Sequence, residues 1–158
     1  MRIIGIDPGT GIMGFGVIDA EGDKAVLVDA GVVRTHVHQP LDERLEEIYN
    51  CLSDIIEETK PAIMVIEKLF FAQNVTTAIS VSHARGVAML SGKLAGLEIV
   101  EYTPLQIKQS ITGYGRADKK QVQEMVRILL NLKEVPQPDD CADALAAALM
   151  HATALKVK

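Results

Sequence analysis

The sequence predicts an α/β fold in which helices flank a mixed five-stranded sheet. Three strand-like runs come first, and helical and strand patterns then alternate along the remainder of the chain. Short connections favour antiparallel pairing of the first three strands, and the strands that follow helices are expected to add in parallel. The 158 residues contain no repeat, low-complexity tract or linker, so we expect one domain over residues 1–158.

The first third of the chain has the patterns of three strands. Arg2 to Asp7 is a short apolar run that ends in an acid, and Pro8-Gly9-Thr10-Gly11 then forms a turn. The runs Gly14 to Asp19 and Ala25 to Arg34 lie on either side of a second turn at Glu21-Gly22-Asp23. These three runs are therefore predicted to be neighbours in the sheet.

A helix and a buried strand come next. Leucine and isoleucine recur at helical spacing from Leu41 to Thr59, with charged residues between them, and Pro61 ends that helix. Ala62 to Ile66 is rich in apolar and β-branched residues, which is typical of a buried strand, and this run stops at Glu67. An acid therefore ends two of the predicted strands.

The last part of the chain is predicted to be mainly helical. A helix rich in small side chains runs from about Val75 to Ala95, and the strand-like piece Leu97 to Tyr102 follows it. Pro104 begins a short helix, and Asp118 can cap another. A final helix is predicted from about Asp139 to Leu155, with an error of a few residues at each boundary.

The distribution of charge is uneven along the chain. The net charge of −5 argues against a nucleic-acid partner when it is taken alone. Seven acids and two bases lie between Asp42 and Lys60, however, whereas nine bases and four acids lie between Lys68 and Lys133. One acidic helix thus masks a basic middle region, although scattered surface charge would also explain these counts.

The two cysteines and the lack of long apolar runs favour a cytoplasmic protein. Cys51 and Cys141 lie far apart and form no metal-spaced pair, so they are expected to be reduced thiols. The N-terminus has no run typical of a signal peptide, and no stretch approaches the length of a membrane span. We therefore expect no membrane partner.

Four carboxylates form the candidate catalytic site. Asp7 and Glu67 each end an apolar strand, while Asp140 and Asp143 lie three apart near the start of the last helix and share one face. If the helix begins over the ends of the two strands, the four side chains converge. Such a cluster would repel itself and lose hydration, so it would either take up protons or hold cations.

Oxygen ligands without histidine or cysteine indicate Mg²⁺, for which Mn²⁺ can substitute. Two such ions, about 4 Å apart, suit in-line hydrolysis of a phosphodiester, because one activates a water and the other stabilises the leaving oxygen. We therefore expect two ions, held by Asp7, Glu67, Asp140 and Asp143. Each acid also has an ordinary structural explanation, as a turn residue, a surface residue at a strand end or a helix cap.

Five separated motifs resemble the RuvC family of bacterial Holliday-junction resolvases, in the same order and over nearly the whole chain. They are Gly5-Ile6-Asp7-Pro8-Gly9-Thr10, Gly14-Phe15-Gly16, Ile66-Glu67, Ala84-Arg85-Gly86-Val87-Ala88 and Asp140-Cys141-Ala142-Asp143-Ala144-Leu145. The resemblance implies an RNase H-like fold and a homodimer that makes paired symmetric nicks in a four-way DNA junction. It also implies the branch-migration proteins RuvA and RuvB as partners.

The resemblance assigns the same four carboxylates as catalytic residues and adds a DNA-binding set. Phe70 is similar to an aromatic residue that reaches into the junction and stacks on a base, a contact that contributes roughly 1–3 kcal/mol. The basic residues that are similar to phosphate-binding positions, or that extend them, are Arg85, Lys108, Arg116, Lys119 and Lys120. Each of these bases would equally suit a solvated surface, and Phe70 would equally suit a core.

Two other functional classes fit parts of the pattern. The opening Gly5 to Thr10 resembles the phosphate-binding turn of actin-like ATPases, but those proteins need a second lobe, for which 158 residues leave no room. A YqgF-type nuclease that acts on structured RNA would share the fold, while the Asp140 to Leu145 motif favours RuvC. An inactive junction-binding scaffold would not require four carboxylates together.

Overall fold

The computed structural model describes residues 1–69 and 75–155. Its strands are β1 (Arg2–Asp7), β2 (Ile12–Glu21), β3 (Lys24–Arg34), β4 (Ile63–Glu67) and β5 (Glu98–Tyr102), and its helices are α1 (Leu41–Thr59), α2 (Val75–Leu94), α3 (Pro104–Thr112), α4 (Lys119–Leu129) and α5 (Asp139–Leu155). The predicted order of elements is confirmed. The second strand extends beyond its predicted range at both ends, because it pairs with β3 from Ile12 to Glu21.

The five strands form one mixed sheet in the order β3-β2-β1-β4-β5. β1 pairs antiparallel with β2, and β2 with β3, whereas β4 joins β1 in parallel and β5 joins β4 in parallel. This is the predicted arrangement of three antiparallel strands followed by parallel additions. The parallel pairing matters for function, because β1 and β4 then end at the same edge of the sheet.

Two apolar layers cover the two faces of the sheet. Alternate residues of β1 point to opposite faces, so that Ile3 packs with α5 and Ile4 packs with α1 and α2. The layer under α5 also includes buried residues of α3 and α4. Helix α5 has ten buried residues, six of which belong to this layer, and this explains why its sequence consists mostly of alanine and leucine.

Glycines allow α5 to lie unusually close to β1 and β2. A Cβ atom on Gly5 would lie 1.9 Å from the backbone oxygen of Ala144, and one on Gly14 would lie 2.0 Å from that of Asp140. Side chains at these two positions would therefore push the helix away from the sheet. The close approach fixes the first turns of α5 next to the ends of β1 and β2.

Capping residues define the two helices on the other side of the site. Thr103 begins α3 with a capping box to Gln106, and Asp118 begins α4 with a capping box to Gln121, as predicted for Asp118. Gly113, with a φ angle of 75°, ends α3 in the left-handed conformation.

In the part of the chain that the structure describes, no helix is long and apolar enough to cross a membrane.

Candidate active site

Two parallel strands place the first two carboxylates. Ile6 of β1 is paired with Ile66 of β4. The next residues, Asp7 and Glu67, therefore lie side by side on adjacent strands, at the same edge of the sheet. Both strands are buried up to this point, and Asp7 and Glu67 are the first half-buried residues at their ends. The two acids are thus held by rigid, fully packed strands, which suits a site that requires fixed geometry.

Helix α5 supplies the third carboxylate to the same groove. Asp7, Glu67 and Asp143 line a cavity of about 270 Å³, which Lys108 of α3 and Lys119 of α4 also line. Asp140 lies one helical turn earlier and does not line this cavity, although its charge acts on Asp7. The structure therefore brings three of the four predicted acids together in the cavity, and the charge of the fourth acts on one of them.

The carboxylates in this groove hold their protons more tightly than ordinary acids. Burial, followed by the negative charges of Glu67, Asp143 and Asp140, raises the pKa of Asp7 from 3.8 to about 8. Burial and then the charge of Asp143 raise the pKa of Glu67 from 4.5 to about 7, and burial raises the pKa of Asp143 as well. Loss of these protons would therefore leave negative charge in the groove that the protein itself does not fully compensate.

Lys119 is the cation most directly engaged with the cluster. Its Nζ atom lies 2.8 Å from the carboxylate of Asp139 and 3.8 Å from that of Asp143. The hydrogen bond to Asp139 and the nearby acids raise the pKa of Lys119, so it is charged at neutral pH. The positive charge of Lys108 lowers the pKa of Glu67 and of Asp143, and so offsets part of the rise that burial causes. Two lysines thus line the same groove as the three carboxylates.

A divalent cation fits the chemistry of this donor set. Carboxylate oxygens are the ligands that Mg²⁺ and Mn²⁺ prefer, and the raised pKa values report negative charge that a cation would relieve. Within residues 1–69 and 75–155, however, no three His, Cys, Asp or Glu side chains are already arranged as a set of ligands.

The remaining predicted DNA-binding residues lie in different surroundings. Arg116 and Lys120 are exposed on either side of the Asp118 cap, and Lys120 lines a second groove together with Tyr114. Arg85 is largely buried, because it forms an ion pair with Glu101 and a hydrogen bond with the backbone of β4. Phe70 lies outside the described residues. The predicted contacts of these residues with DNA therefore stay predictions.

Sequence reasoning missed the polar residues that support the site. Thr10, three residues after Asp7, is buried, shares a 2.7 Å hydrogen bond with Ser80 of α2, and accepts a hydrogen bond from Thr35 at its backbone oxygen. Glu101 pairs with Arg85 across 16 residues of sequence. No local pattern predicts such pairs. The one available signal was that Thr10 belongs to the same motif as Asp7.

The chain is similar in sequence and structure to known junction resolvases. The family described as "Crossover junction endodeoxyribonuclease RuvC" matches residues 3–151. A protein of that name from Brevibacillus brevis is 53% identical over 152 residues, which cover 96% of this chain and 92% of the relative. The structure of Thermus thermophilus RuvC has a TM-score of 0.92 and 37% identity, over 99% of this chain and 96% of that one.

A second solved structure includes a nucleic acid. Thermus thermophilus RuvC in complex with a Holliday junction substrate has a TM-score of 0.94, with 37% identity and the same coverage. These matches confirm the predicted RNase H-like fold. The family match over nearly the whole chain also favours RuvC over the actin-like and YqgF-type interpretations. This chain belongs to the RuvC family of crossover junction endodeoxyribonucleases.

Proposed function

We propose that this protein is a metal-dependent DNA endonuclease that resolves four-way Holliday junctions by paired symmetric nicks during recombination and repair. The observation that carries the proposal is the meeting of Asp7, Glu67 and Asp143 in one groove with Lys108 and Lys119, in a chain of the RuvC family. Acids and bases in one groove suit a phosphodiester substrate, because cations and a phosphate can both be held there.

The four carboxylates are proposed to hold two Mg²⁺ ions, for which Mn²⁺ can substitute. Asp7, Glu67 and Asp143 line the groove, and the charge of Asp140 acts on Asp7. Bound divalent cations supply activation of a water for attack and stabilisation of the negative charge on the leaving oxygen. The protein contributes the fixed strand ends that carry two of these ligands and the close-packed helix that carries the others.

The basic residues are proposed to position the DNA. Lys108 and Lys119 line the same groove as the carboxylates, and they are proposed to bind the phosphate that is cut. Lys120 and Arg116, exposed beyond them, would contact phosphates farther along the strand. Phe70, which follows Glu67 by three residues, is proposed to stack on a base at the junction. The resemblance also implies a phosphate contact for Arg85, although its guanidinium already pairs with Glu101 and donates to the backbone oxygen of Glu67.

Paired symmetric nicks require two related active sites, and we propose a homodimer to supply them. Helix α2 offers a surface for it. Ile79, Gly86, Leu90 and Leu94 recur on one face of this helix, and Leu90 and Leu94 are 52% and 66% exposed. A side chain on Gly86 would meet nothing within 4 Å, so a partner helix can approach closely there.

RuvA and RuvB are proposed partners, and the cytoplasm is the proposed location.

Cleavage of a labelled immobile four-way junction tests this proposal. Matching duplex, RNA–DNA hybrid and structured RNA serve as comparison substrates, each with Mg²⁺ and with a chelator. Symmetric nicks in the junction alone, and with metal alone, are the expected result. Preferential cleavage of the hybrid or of structured RNA would keep the metal site and pass the function to a YqgF-type nuclease, and cleavage in the presence of chelator would refute the metal-dependent mechanism.

A further inference from the structure

We infer that Arg85 is a positioning residue for Glu67, and that helix α2 uses it to hold the end of β4 in the geometry that cleavage needs. The inference rests on the proposed role of Glu67 in the active site. It gives Arg85 this role in place of the phosphate contact that the family resemblance implies. It also makes α2 part of the support of the active site.

The contacts of Arg85 all point into the protein. Its Nε atom donates a hydrogen bond to the backbone oxygen of Glu67 at 3.0 Å, and its Nη2 atom forms an ion pair with Glu101. Its Nη1 atom lies 3.4 Å from the sulfur of Met89, one turn farther along α2. The Arg85 side chain is only 17% exposed. The guanidinium therefore bridges two neighbouring strands, with its charge already matched by a carboxylate.

The backbone oxygen of Glu67 is a sensitive point because the sheet ladder ends there. Glu67 is the last residue of β4 and is paired with Tyr102 of β5, and the next amide, that of Lys68, donates to the Tyr102 oxygen at 2.8 Å. Arg85 adds a charge-assisted hydrogen bond at this terminus. A carboxylate at a strand end moves with its backbone, and a misplacement of about 1 Å can lower a rate by roughly 100-fold.

The same helix also holds the neighbouring strand end. Ser80 of α2, five residues before Arg85, shares a 2.7 Å hydrogen bond with the hydroxyl of buried Thr10, just after β1. Arg85 fixes the end of β4 and Ser80 fixes the turn after β1, so both contacts from α2 bear on the spacing of Asp7 and Glu67. Helix α2 therefore braces both catalytic strands.

The test separates positioning from DNA binding with a matched pair of variants. Arg85→Gln removes the bridging cation, and Lys93→Gln removes an exposed cation from the end of the same helix. Arg85→Lys keeps the charge and most of the apolar stem but cannot form the same fork. Three quantities are measured for each: junction affinity against salt without metal, single-turnover cleavage at saturating junction, and the rise in unfolding temperature with Mg²⁺ in DNA-free protein.

The expected result is a split between binding and chemistry. The junction affinity of Arg85→Gln should stay within about twofold of that of Lys93→Gln. At saturating junction, Arg85→Gln should cleave about 10- to 100-fold more slowly than Lys93→Gln. It should also need several-fold more Mg²⁺ to reach half of the full rise in unfolding temperature. Arg85→Lys should lie between wild type and Arg85→Gln in both effects, and Lys93→Gln should match wild type in all three. The metal titration contains no substrate, so it tests the inference even if the proposed junction substrate is wrong.

One result would overturn the inference and make Arg85 a phosphate contact. In that result, Arg85→Gln loses junction affinity and its slope of log affinity against log salt falls by about 0.9, while cleavage at saturation and the Mg²⁺ titration are unchanged. Equal cleavage rates and equal Mg²⁺ titrations for Arg85→Gln and Lys93→Gln would overturn it as well. If Arg85→Gln fails to fold, Arg85→Lys carries the test, and wild-type Mg²⁺ dependence in that variant contradicts positioning.

Discussion

Replacing Asp7 by asparagine should stabilise the metal-free protein at pH 8 while abolishing cleavage. The pKa of Asp7 is raised from 3.8 to about 8, first by burial and then by the neighbouring acids. Above about pH 4 the unfolded chain releases this proton while the folded chain keeps it. The contribution of Asp7 to folding stability is therefore fully present below its pKa in the unfolded chain, and it is lost as the pH rises towards its pKa in the folded protein. Asparagine cannot ionise, so it removes this loss.

The size of the effect follows from the shift in pKa. A shift of about four pKa units at 1.36 kcal/mol per unit corresponds to an upper limit of about 5–6 kcal/mol. Water in the groove and proton uptake by the neighbouring acids reduce it, and we expect about 2–3 kcal/mol at pH 8. For a chain of this size, each kcal/mol raises the unfolding temperature by about 2–4 °C. The expected gain is thus about 4–12 °C at pH 8 and close to zero at pH 4.

Thermal unfolding followed by circular dichroism, with chelator and at several pH values, measures this gain. Asp19→Asn is the matched control, because Asp19 lies at the opposite end of the β1–β2 pair and Arg2 holds its pKa below the usual value. This control should gain nothing at pH 8. A gain for Asp7→Asn that does not depend on pH, or that equals the control, would refute the electrostatic reasoning.

The same variant makes a functional prediction. Asp7→Asn should keep or strengthen junction binding, because it removes negative charge from a groove that faces phosphates. It should also lose most of the thermal stabilisation that Mg²⁺ gives to the wild type at pH 8. Electrophoretic mobility shift with a labelled junction and chelator measures the binding. Loss of binding together with cleavage would show that Asp7 supports the DNA-binding surface instead.

Three further predictions test the DNA path, the packing of α5 and the dimer. The combined variant Lys119→Ala and Lys120→Ala should reduce the slope of log affinity against log salt by about 1.8, measured by fluorescence anisotropy from low to moderate salt, and an unchanged slope would place the DNA elsewhere. Gly14→Ala should cost at least about 1–3 kcal/mol in urea unfolding, because its Cβ would overlap the backbone of α5. Gly11→Ala, whose Cβ would meet only the end of the Arg44 side chain at 3.4 Å, should cost less, and equal losses would contradict the close approach. Leu90→Glu should convert the dimer to a monomer in sedimentation at micromolar concentration, and a wild-type mass for that variant would exclude this face of α2.

The fold could be predicted from the sequence because its local and global signals agree. Apolar runs that end in an acid, small turn residues and changes of period marked every strand and helix within a few residues. The sheet order followed from connection lengths, since short turns favour antiparallel pairing and intervening helices favour parallel addition. The convergence of Asp7, Glu67 and Asp143 then followed from the parallel pairing of β1 and β4 and the position of α5.

Periodicity could not distinguish Asp140 from Asp143. The spacing of three residues places both on one helical face, but the angle at which α5 crosses the sheet decides which one lines the groove. That angle depends on the close contact of Gly5 and Gly14 with the helix backbone. This contact is made with residues that are distant in sequence. In the sequence, the two glycines are simply members of the opening motifs, and nothing marks them as contacts of α5.

The partners of the basic residues were also beyond the reach of sequence patterns. Lys119 pairs with Asp139 across 20 residues, and Arg85 pairs with Glu101 across 16, in each case between separate elements. Such pairs depend on how helices dock, which a local pattern does not contain. A count of bases along the chain therefore overstated the charge available to DNA, because two of the predicted contacts already bind the protein's own acids.

In the proposed mechanism, this internal pairing would make the action of a protein of net charge −5 on DNA depend on metal. Three carboxylates and two lysines line the groove, and Lys119 also binds Asp139, so the metal-free groove is poor in positive charge. Divalent cations would reverse that balance and free Lys119 to meet a phosphate. Metal and DNA would then each increase the affinity for the other by the same factor, because binding free energies are reciprocal. The acids that depress DNA affinity in the free protein are thus the groups that make it depend on the catalytic metal.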